Sequence, residues 1–180
     1  MSTSVDQVYE QVRSMAANFE FKPAERINES VLSKKLGASR TPLREAMNRL
    51  VAEGLLQFEG GKGFFCQALT PDLVVNLYEL REALEIGAVR AAVERASDQG
   101  LQDLRRYLVD TSAKYTDGTS SREIVALDEG FHLRIAKLSG NPEMLNMIEL
   151  VYERIRYVRW IAIREKIDIT YAAHMYIFEA

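Results

Sequence analysis

The chain is poor in the residues and segments that mark secreted and membrane proteins. It has a single cysteine, Cys66, which excludes an internal disulfide and fits a reducing compartment. No apolar run approaches the roughly 18 residues that a transmembrane helix needs. Residues 1–6 lack the basic and apolar segments of a signal peptide. We therefore predict a cytoplasmic protein that does not associate with membranes.

Proline is scarce as well, with four residues in 180, and one of them marks a domain boundary. Thr70 offers a capping hydroxyl, Pro71 suits the first position of a helix, and Asp72 suits its first turn. Before this point the pattern mixes short helices with strands, and beyond it the pattern is helical throughout. The sequence therefore predicts two domains, residues 1–69 and residues 70–180.

Positive charge is in slight deficit, because the formal net charge is −3. This balance argues against a generally basic nucleic-acid binder, but the charge is unevenly distributed. The first 69 residues carry nine lysines and arginines against eight acidic residues, whereas the remainder carries 14 against 18. Between residues 33 and 50, five basic side chains face only Glu45. A local basic segment on an acidic protein is typical of a bounded DNA-binding surface whose affinity falls as salt rises.

That basic segment contains a predicted amphipathic helix. Thr41 and Pro42 supply a capping hydroxyl and a proline at the first helical position. Arg40 and Arg44 lie one turn apart, on the side opposite an apolar face. Taken alone, such a helix is more often a solvated surface helix than a DNA-recognition helix. The apolar face is formed by residues that recur at helical spacing: Leu43, Ala46, Met47 and Leu50.

The flanking segments favour the recognition-helix interpretation. A short helix over residues 28–36 precedes it, and Gly37 begins a tight turn between the two. Two apolar strands follow, over residues 55–58 and 64–66, on either side of a glycine-rich turn with Lys62 at its tip. A helix-turn-helix followed by a β-hairpin is a winged helix. We therefore predict a mainly α fold, with an N-terminal winged helix-turn-helix and a small β-hairpin wing, followed by an all-helical bundle.

The segment Leu-Gly-Ala-Ser-Arg-Thr-Pro-Leu-Arg-Glu-Ala-Met-Asn-Arg-Leu, followed by a Gly-Lys-Gly wing, resembles the DNA-binding domain of GntR-family transcriptional regulators. The resemblance implies a homodimeric, effector-controlled repressor bound to a palindromic site on double-stranded DNA. We expect its arginines to read base edges, and Lys62 and the nearby Lys35 to contact phosphates. The residues that match the family's DNA contacts are Arg40, Thr41, Arg44, Gly61 and Lys62.

The helical part contains a carboxylate and an imidazole at metal-ligand spacing. After a first helix from Pro71, periodicity predicts helices over residues 101–115, 121–138, 143–166 and 169–180. Asp128 and His132 lie four residues apart in the second of these ranges, beside the core position Phe131, so both face the interior. Such a pair is half of a divalent-metal site or a helical ion pair, and the spacing alone favours the ion pair.

Three segments of this part resemble the C-terminal ligand-binding (FCD) domain of FadR-type GntR regulators: Leu-Tyr-Glu-Leu-Arg-Glu-Ala-Leu-Glu, Asp-Glu-Gly-Phe-His and Leu-Ser-Gly-Asn-Pro. The resemblance implies that Asp128, His132 and His174 bind a divalent metal, with zinc, nickel or another late first-row ion as the cofactor. The family's fourth ligand lies in a further, last helix. The given sequence ends at Ala180, so either the polypeptide is truncated or the site has three protein ligands and open positions.

Arg81 is the predicted effector ligand. The matching arginine of the family lies near the cavity, and a guanidinium fork binds carboxylates, which implies an organic-acid effector. An equally weighted alternative pairs Arg81 with Glu85 at the surface. The resulting prediction is a non-enzymatic DNA-binding regulator. The alternatives are a metal-dependent hydrolase using the Asp/His/His site, for which no general base is evident, and an architectural DNA-binding protein.

Overall fold

The computed structural model describes residues 4–116, 118–163 and 167–180, apart from the side chain at position 168. These residues form eight α-helices and one two-stranded antiparallel sheet, so the predicted mainly α fold with a hairpin is confirmed. They fall into two compact units that divide between Val75 and Asn76. Within the described ranges, no helix has both the length and the apolar character needed to cross a membrane.

The first unit begins with a well-capped helix. Ser4 accepts a hydrogen bond from the backbone of Gln7, whose side chain in turn accepts from the backbone of Ser4, so two N–H groups without helical partners are satisfied. The second helix is capped by Asn28 and ends at Gly37, which is in the left-handed conformation. The elements of this unit are α1 (Val5–Ala17), α2 (Glu29–Leu36), α3 (Arg40–Ala52), β1 (Leu56–Glu59) and β2 (Gly63–Cys66).

Helix α3 begins two residues earlier than the Thr-Pro signal predicts. Ser39 occupies the N-cap position, so the predicted capping role of Thr41 is wrong. Pro42 still fits, because the backbone N–H groups of a first helical turn have no helical partner to lose. As a result, Arg40 and Thr41 are the first two helical residues, and both are exposed.

The predicted apolar face of α3 is completely buried. Leu43, Ala46, Met47 and Leu50 have no exposed surface, and they lie in the core with Val8 and Val12 of α1. The wing is attached to this core by Phe64, which is also fully buried. A backbone bridge between Arg26 and Phe65 adds the segment before α2 to the wing's edge. The recognition helix and the wing are therefore held by one core.

The wing is a short hairpin whose turn requires glycine. Strands β1 and β2 pair from Leu56 with Cys66 to Glu59 with Gly63. The backbone N–H of Lys62 donates to the carbonyl of Glu59, which closes the turn at 3.0 Å. Gly61 within it has φ +76°, a conformation that side-chain-bearing residues seldom adopt. The turn presents Lys62 at the exposed tip.

The second unit consists of helices. Ser97 caps α5, so this helix starts at Asp98 rather than at the predicted residue 101. Gly100 therefore lies inside the helix, where a Cβ atom would come within 2.4 Å of Leu138. Residues 164–166, where the predicted end of the next-to-last helix falls, lie outside the described residues. The helices are α4 (Pro71–Arg95), α5 (Asp98–Thr111), a 3₁₀ turn (Ser112–Lys114), α6 (Ser121–Leu138), α7 (Pro142–Ala162) and α8 (Ile167–Glu179).

Helix α6 lies at the centre of this unit. On one side Phe131 and Ile135 pack with Leu104 and Leu108 of α5. On the other side Ala136 packs with Ile148 and Tyr152 of α7 and with Ala88 of α4. Since both sides of α6 are covered, the polar residues between those apolar positions are enclosed as well. The buried polar side chains contributed by α6 are Asp128 and Glu129.

Candidate functional site

The first unit carries a basic cleft, which we call the wing cleft, bordered by the start of α2, the start of α3 and the wing. Its volume is about 460 Å³. The structure brings the predicted DNA contacts Arg40, Arg44 and Lys62 together here, although they come from two different elements. The full lining is Arg26, Ile27, Asn28, Glu29, Ser30, Arg40, Arg44, Lys62 and Gly63.

The cationic side chains of the cleft already have weak partners. Arg40 donates a hydrogen bond to the Ser30 hydroxyl at 3.3 Å. The Lys62 ammonium donates to the Glu59 carboxylate at 2.9 Å, and both side chains are largely exposed. Exposed ion pairs contribute little stability, so such partners can be exchanged for phosphate groups at low cost.

The remaining predicted DNA contacts fall in different places. Thr41 and Gly61 are exposed, at the first turn of α3 and at the wing tip. Lys35 does not line the wing cleft: it pairs with Glu20 at 3.1 Å beside a separate hollow of about 280 Å³. Arg26, which does line the cleft, was missed by the sequence analysis. Arg26 reaches the cleft because its backbone bridges to Phe65 of the wing, a long-range contact that no local sequence pattern signals.

A second site lies inside the helical unit, where Asp128 and His132 of α6 meet His174 of α8. One possible ligand atom from each lies within 4.8 Å of the others. Oδ1 of Asp128 is 3.0 Å from Nε2 of His174 and 3.9 Å from Nε2 of His132. The two imidazoles are nearly perpendicular, at 84°, with centroids 5.2 Å apart. The structure thus brings all three predicted metal ligands to one point.

The other oxygen of Asp128 belongs to a buried ion-pair network. Arg159 of α7 donates to Oδ2 of Asp128 and, at 3.0 Å, to Glu129. Glu129 also accepts two hydrogen bonds from Arg156, at 2.9 and 3.1 Å. Burial alone would raise the pKa of Asp128, but the hydrogen bond with His174 and the charge of Arg159 hold that pKa well below its ordinary value. Asp128 is therefore ionised in the folded protein.

Glu85 of α4 orients the second imidazole. Its Oε2 lies 3.6 Å from Nδ1 of His132, while its Oε1 accepts from the Tyr152 hydroxyl and, at 2.6 Å, from Arg81. Burial lowers the pKa of His132, although the charges of Glu85 and Asp128 oppose the effect. His132 thus faces Glu85 with Nδ1 and Asp128 with Nε2.

These residues fit a divalent metal ion. Ligand atoms around tetrahedral zinc lie about 3.4 Å apart for metal bonds of roughly 2.1 Å, so the present separations require only small adjustments. Nδ1 of His174 is buried and has no hydrogen-bond partner among the described residues. The nitrogen of this ring that faces Asp128 is Nε2, so Nδ1 remains a buried polar atom of the kind that folded cores rarely leave unsatisfied.

Arg81 is committed to Glu85 in this structure. The two side chains are 18% and 20% exposed, so the pair is largely buried rather than solvated. The guanidinium also lies 5.2 Å from the centroid of the Tyr152 ring. Glu85 contacts both Arg81 and His132, so it links these two side chains. The pairing that the sequence analysis gave as an alternative is present, and it lies beside the metal site instead of at the surface.

Both units match known families. Residues 4–66 match the family described as bacterial regulatory proteins, gntR family, and residues 76–180 match the FCD domain. The chain belongs to the GntR family. The resemblance seen in the sequence is thereby confirmed for both of its halves.

Relatives of this GntR-family chain are named as regulators. It is 43% identical over 163 residues to the Nta operon transcriptional regulator of Aminobacter aminovorans, an alignment that covers 91% of this chain and 76% of the relative. It is 37% identical over 153 residues to the HTH-type transcriptional regulator YdhC of Bacillus subtilis, covering 85% of this chain and 68% of the relative. The chain is accordingly a DNA-binding transcriptional regulator of this family.

Solved structures agree with the fold of the GntR-family chain. McbR/YncC of E. coli superimposes with a TM-score of 0.71 at 24% identity, covering 98% of this chain and 88% of that one. A GntR regulator from Rhodococcus sp. RHA1 gives a TM-score of 0.73 at 20% identity, covering 98% and 84%. At these identities the likeness concerns the fold alone. None of the comparisons supports the hydrolase alternative.

Proposed function

We propose that this GntR-family protein is a cytoplasmic repressor that binds a palindromic DNA site as a homodimer and responds to a small organic acid. The wing cleft carries this proposal, because it gathers Arg40, Arg44 and Lys62 from a recognition helix and a wing. In a winged helix the first turn of the recognition helix enters the major groove. Arg40 and Thr41 are in that turn, and Arg44 is one turn further along.

The predicted DNA contacts divide into two roles. Arg40 and Arg44 read base edges, because a guanidinium can donate two parallel hydrogen bonds to guanine. Lys62, Gly61 and Lys35 contact the backbone, where an ammonium or a close backbone approach suits phosphate. Lys35 reaches its phosphate from outside the cleft, in the last turn of α2.

The homodimer is supported by an unpartnered apolar face on α4. Ile86 and Val93 lie seven residues apart, on the same side of the helix, and their exposed fractions are 45% and 82%. Exposed aliphatic side chains at heptad spacing are typical of helices that pair with another helix. Two copies joined through the helical units would present two recognition helices to the two halves of a palindrome.

In the helical unit, Asp128, His132 and His174 would hold a divalent ion such as zinc, which supplies a Lewis-acid site for a carboxylate effector when bound. Glu85 keeps His132 turned towards the site, and Arg159 keeps Asp128 ionised. Arg81, next to this group, supplies the cation for the same class of effector. We expect the protein not to be an enzyme, because Glu129, the neighbouring carboxylate, is engaged by Arg156 and Arg159.

The test is a selection from random double-stranded DNA with the purified protein, followed by binding assays on the selected sequence. A palindromic consensus is expected, and its affinity should fall steeply as salt rises. Adding zinc together with small carboxylates such as acetate, lactate and citrate should change the affinity for that sequence. Failure to enrich any sequence would contradict the proposed DNA site.

A further inference from the structure

The wing cleft contains a negative charge where a surface for phosphates should have none. Glu29 is the one acidic side chain among the described residues that line it. It stands among Arg26, Arg40, Arg44 and Lys62. A carboxylate at this position repels the DNA backbone and weakens binding to every sequence. Its place in the cleft therefore calls for a role that offsets this cost.

Glu29 lies between the recognition helix and the wing. It is the first residue of α2, and its Oε2 is 3.6 Å from Nη1 of Arg44 in α3. Its Oε1 is 3.8 Å from the point that a Cβ atom of Gly63 would occupy at the base of the wing. The Glu29 side chain is 23% exposed, whereas that of Arg44 is 51% exposed. The carboxylate thus lies behind the guanidinium, on the protein side.

The distance between the Glu29 carboxylate and the Arg44 guanidinium decides what kind of contact they make. At 3.6 Å the contact is an ion pair rather than a hydrogen bond, so it attracts the guanidinium without consuming its N–H donors. The Phe64 ring, 5.7 Å from the same guanidinium carbon, limits the side chain on the wing side. The orientation of the Arg44 guanidinium is therefore restricted, while its N–H donors stay available for a base edge.

We propose that Glu29 is a positioning residue for sequence specificity. It directs the Arg44 fork towards the base edge and, by repelling phosphates, discourages Arg44 from settling on the DNA backbone. Bidentate recognition of guanine depends on the orientation of the guanidinium plane, which a free arginine must find at an entropic cost. Glu29 thus lowers the affinity for DNA of any sequence and increases the discrimination between sequences. This inference rests on the proposed DNA-binding function of the wing cleft.

Glu59 provides a matched control within the same surface. It also pairs with a cationic DNA contact, Lys62, but through a direct hydrogen bond of 2.9 Å on the wing itself. Lys62 is assigned to phosphate, so removing its carboxylate partner should strengthen binding to all sequences alike. Glu29 and Glu59 therefore face cations with different proposed roles, a base-reading arginine and a phosphate-binding lysine.

The experiment compares Glu29→Gln and Glu59→Gln in the full chain. The wild-type protein first selects its preferred duplex from random DNA, and affinities are then measured for this duplex and a scrambled one at two salt concentrations. Glu29→Gln should tighten binding to the scrambled duplex and lower the specificity ratio by about tenfold, within the range that one bidentate arginine supplies. Glu59→Gln should tighten both and leave the ratio within about twofold of wild type.

A second measurement separates positioning from folding. In an Arg44→Ala background, Glu29→Gln should leave the specificity ratio unchanged, because there is no guanidinium left to direct. If Glu29→Gln melts too early to assay, Glu29→Asp keeps the charge but withdraws it from Arg44, and it should lower the ratio without tightening scrambled DNA.

The outcomes are distinguishable. A wild-type protein that selects no sequence contradicts the DNA-binding proposal itself. A wild-type protein that selects a sequence, with a ratio that both Glu29 variants preserve, overturns the role of Glu29 alone. An equal loss of the ratio in the wild-type and Arg44→Ala backgrounds overturns it as well, because Glu29 would then act through something other than Arg44.

Discussion

The effect of an ion pair on the stability of this protein depends on how deeply the pair is buried. The Lys62–Glu59 pair is open to solvent on both sides, at 70% and 41%, and such pairs contribute little to stability. Arg159 and Asp128 are 4% and 9% exposed, so neither charge has water to compensate it. The first kind of pair can be exchanged for DNA phosphates. The second kind determines whether the helical unit holds together.

The arginines proposed to read base edges should behave differently from the wing lysine. Arg40→Ala or Arg44→Ala should each cost about 1–3 kcal/mol on the preferred DNA sequence and relax selectivity at particular positions. Lys62→Ala should weaken all sequences alike and reduce the slope of log affinity against log salt by about 1. Fluorescence anisotropy at several salt concentrations measures both effects. Arg106→Ala, an exposed change in α5, is the control and should leave binding unchanged.

Removing Arg159 should destabilise the fold severely. Arg159→Ala leaves the buried carboxylate of Asp128 without its guanidinium partner, a loss of about 3–5 kcal/mol for a buried pair. Urea unfolding followed by circular dichroism gives the change in unfolding free energy. Arg106→Ala breaks an exposed ion pair with Asp103 and should cost less than about 0.5 kcal/mol. Similar losses in the two variants would disprove the buried network.

Two glycines within helices show how packing between elements limits substitution. A Cβ atom on Gly130 would lie 2.2 Å from the Tyr107 hydroxyl, which donates at 2.8 Å to the carbonyl of Leu127. A Cβ atom on Gly87 would lie 3.3 Å from the end of the flexible Met144 side chain. Helix propensity favours alanine over glycine equally at both positions, so the two substitutions differ only in the side chain that the new Cβ atom meets.

We expect Gly130→Ala and Gly87→Ala to change stability in opposite directions. Gly130→Ala must displace Tyr107 from the groove between α5 and α6, at a cost of about 1–3 kcal/mol. Gly87→Ala needs only a shift of the Met144 end and gains helix propensity, so it should be neutral or stabilising by up to about 1 kcal/mol. Melting temperatures of the two variants test this directly. A stabilising Gly130→Ala would show that the α5–α6 contact is looser than described.

The candidate metal site joins α6 to α8, so a bound metal should stabilise the contact between these helices. Zinc at about 100 times its dissociation constant should stabilise the fold by roughly 2.7 kcal/mol, which a melting curve detects. His132→Ala and His174→Ala should abolish this shift and the bound metal found by elemental analysis. Asp103→Ala, an exposed acid on α5, should retain both. A zinc-induced shift that survives both histidine variants would refute the site.

The pH dependence of this metal binding follows from the imidazoles. Protonation competes with coordination, so affinity should fall as the pH is lowered. Burial lowers the pKa of His132, so this histidine stays neutral below the ordinary value of about 6.5. Protons should therefore compete with the metal for His132 only at a pH more acidic than that ordinary value. Zinc titrations between pH 7.5 and 5 measure the decline.

The whole molecule is expected to be a homodimer joined through α4. Sedimentation should give a mass near twice the 20.5 kDa of the chain. Val93→Glu places a charge on the proposed apolar face and should produce monomers that bind a palindrome weakly. Val109→Glu alters an equally aliphatic side chain on α5, 60% exposed, and should leave the dimer intact. A monomer that still binds the palindrome tightly would contradict the dimer.

The features predictable from sequence are those that short-range interactions decide. The buried face of α3 follows from its helical periodicity, and the wing turn follows from a glycine that must adopt positive φ at Gly61. The start of α4 at Pro71 follows from the Thr-Pro-Asp signal, since Thr70 accepts from the backbone of Leu73 at 3.3 Å. In each case a residue and its neighbours within two turns contain the whole cause.

Tertiary structure alone decided the partners of the buried charges. Arg159 lies 31 residues from Asp128, His174 lies 46 residues from it, and Tyr152 lies 67 residues from Glu85. No local pattern links such residues, because their contacts arise only when α4, α6, α7 and α8 enclose a common interior. The same enclosure placed α5 over Gly130 and buried the Arg81–Glu85 pair. The sequence determined which side chains were available. Helix packing determined which of them became buried, and buried charges must pair with one another because they are no longer hydrated.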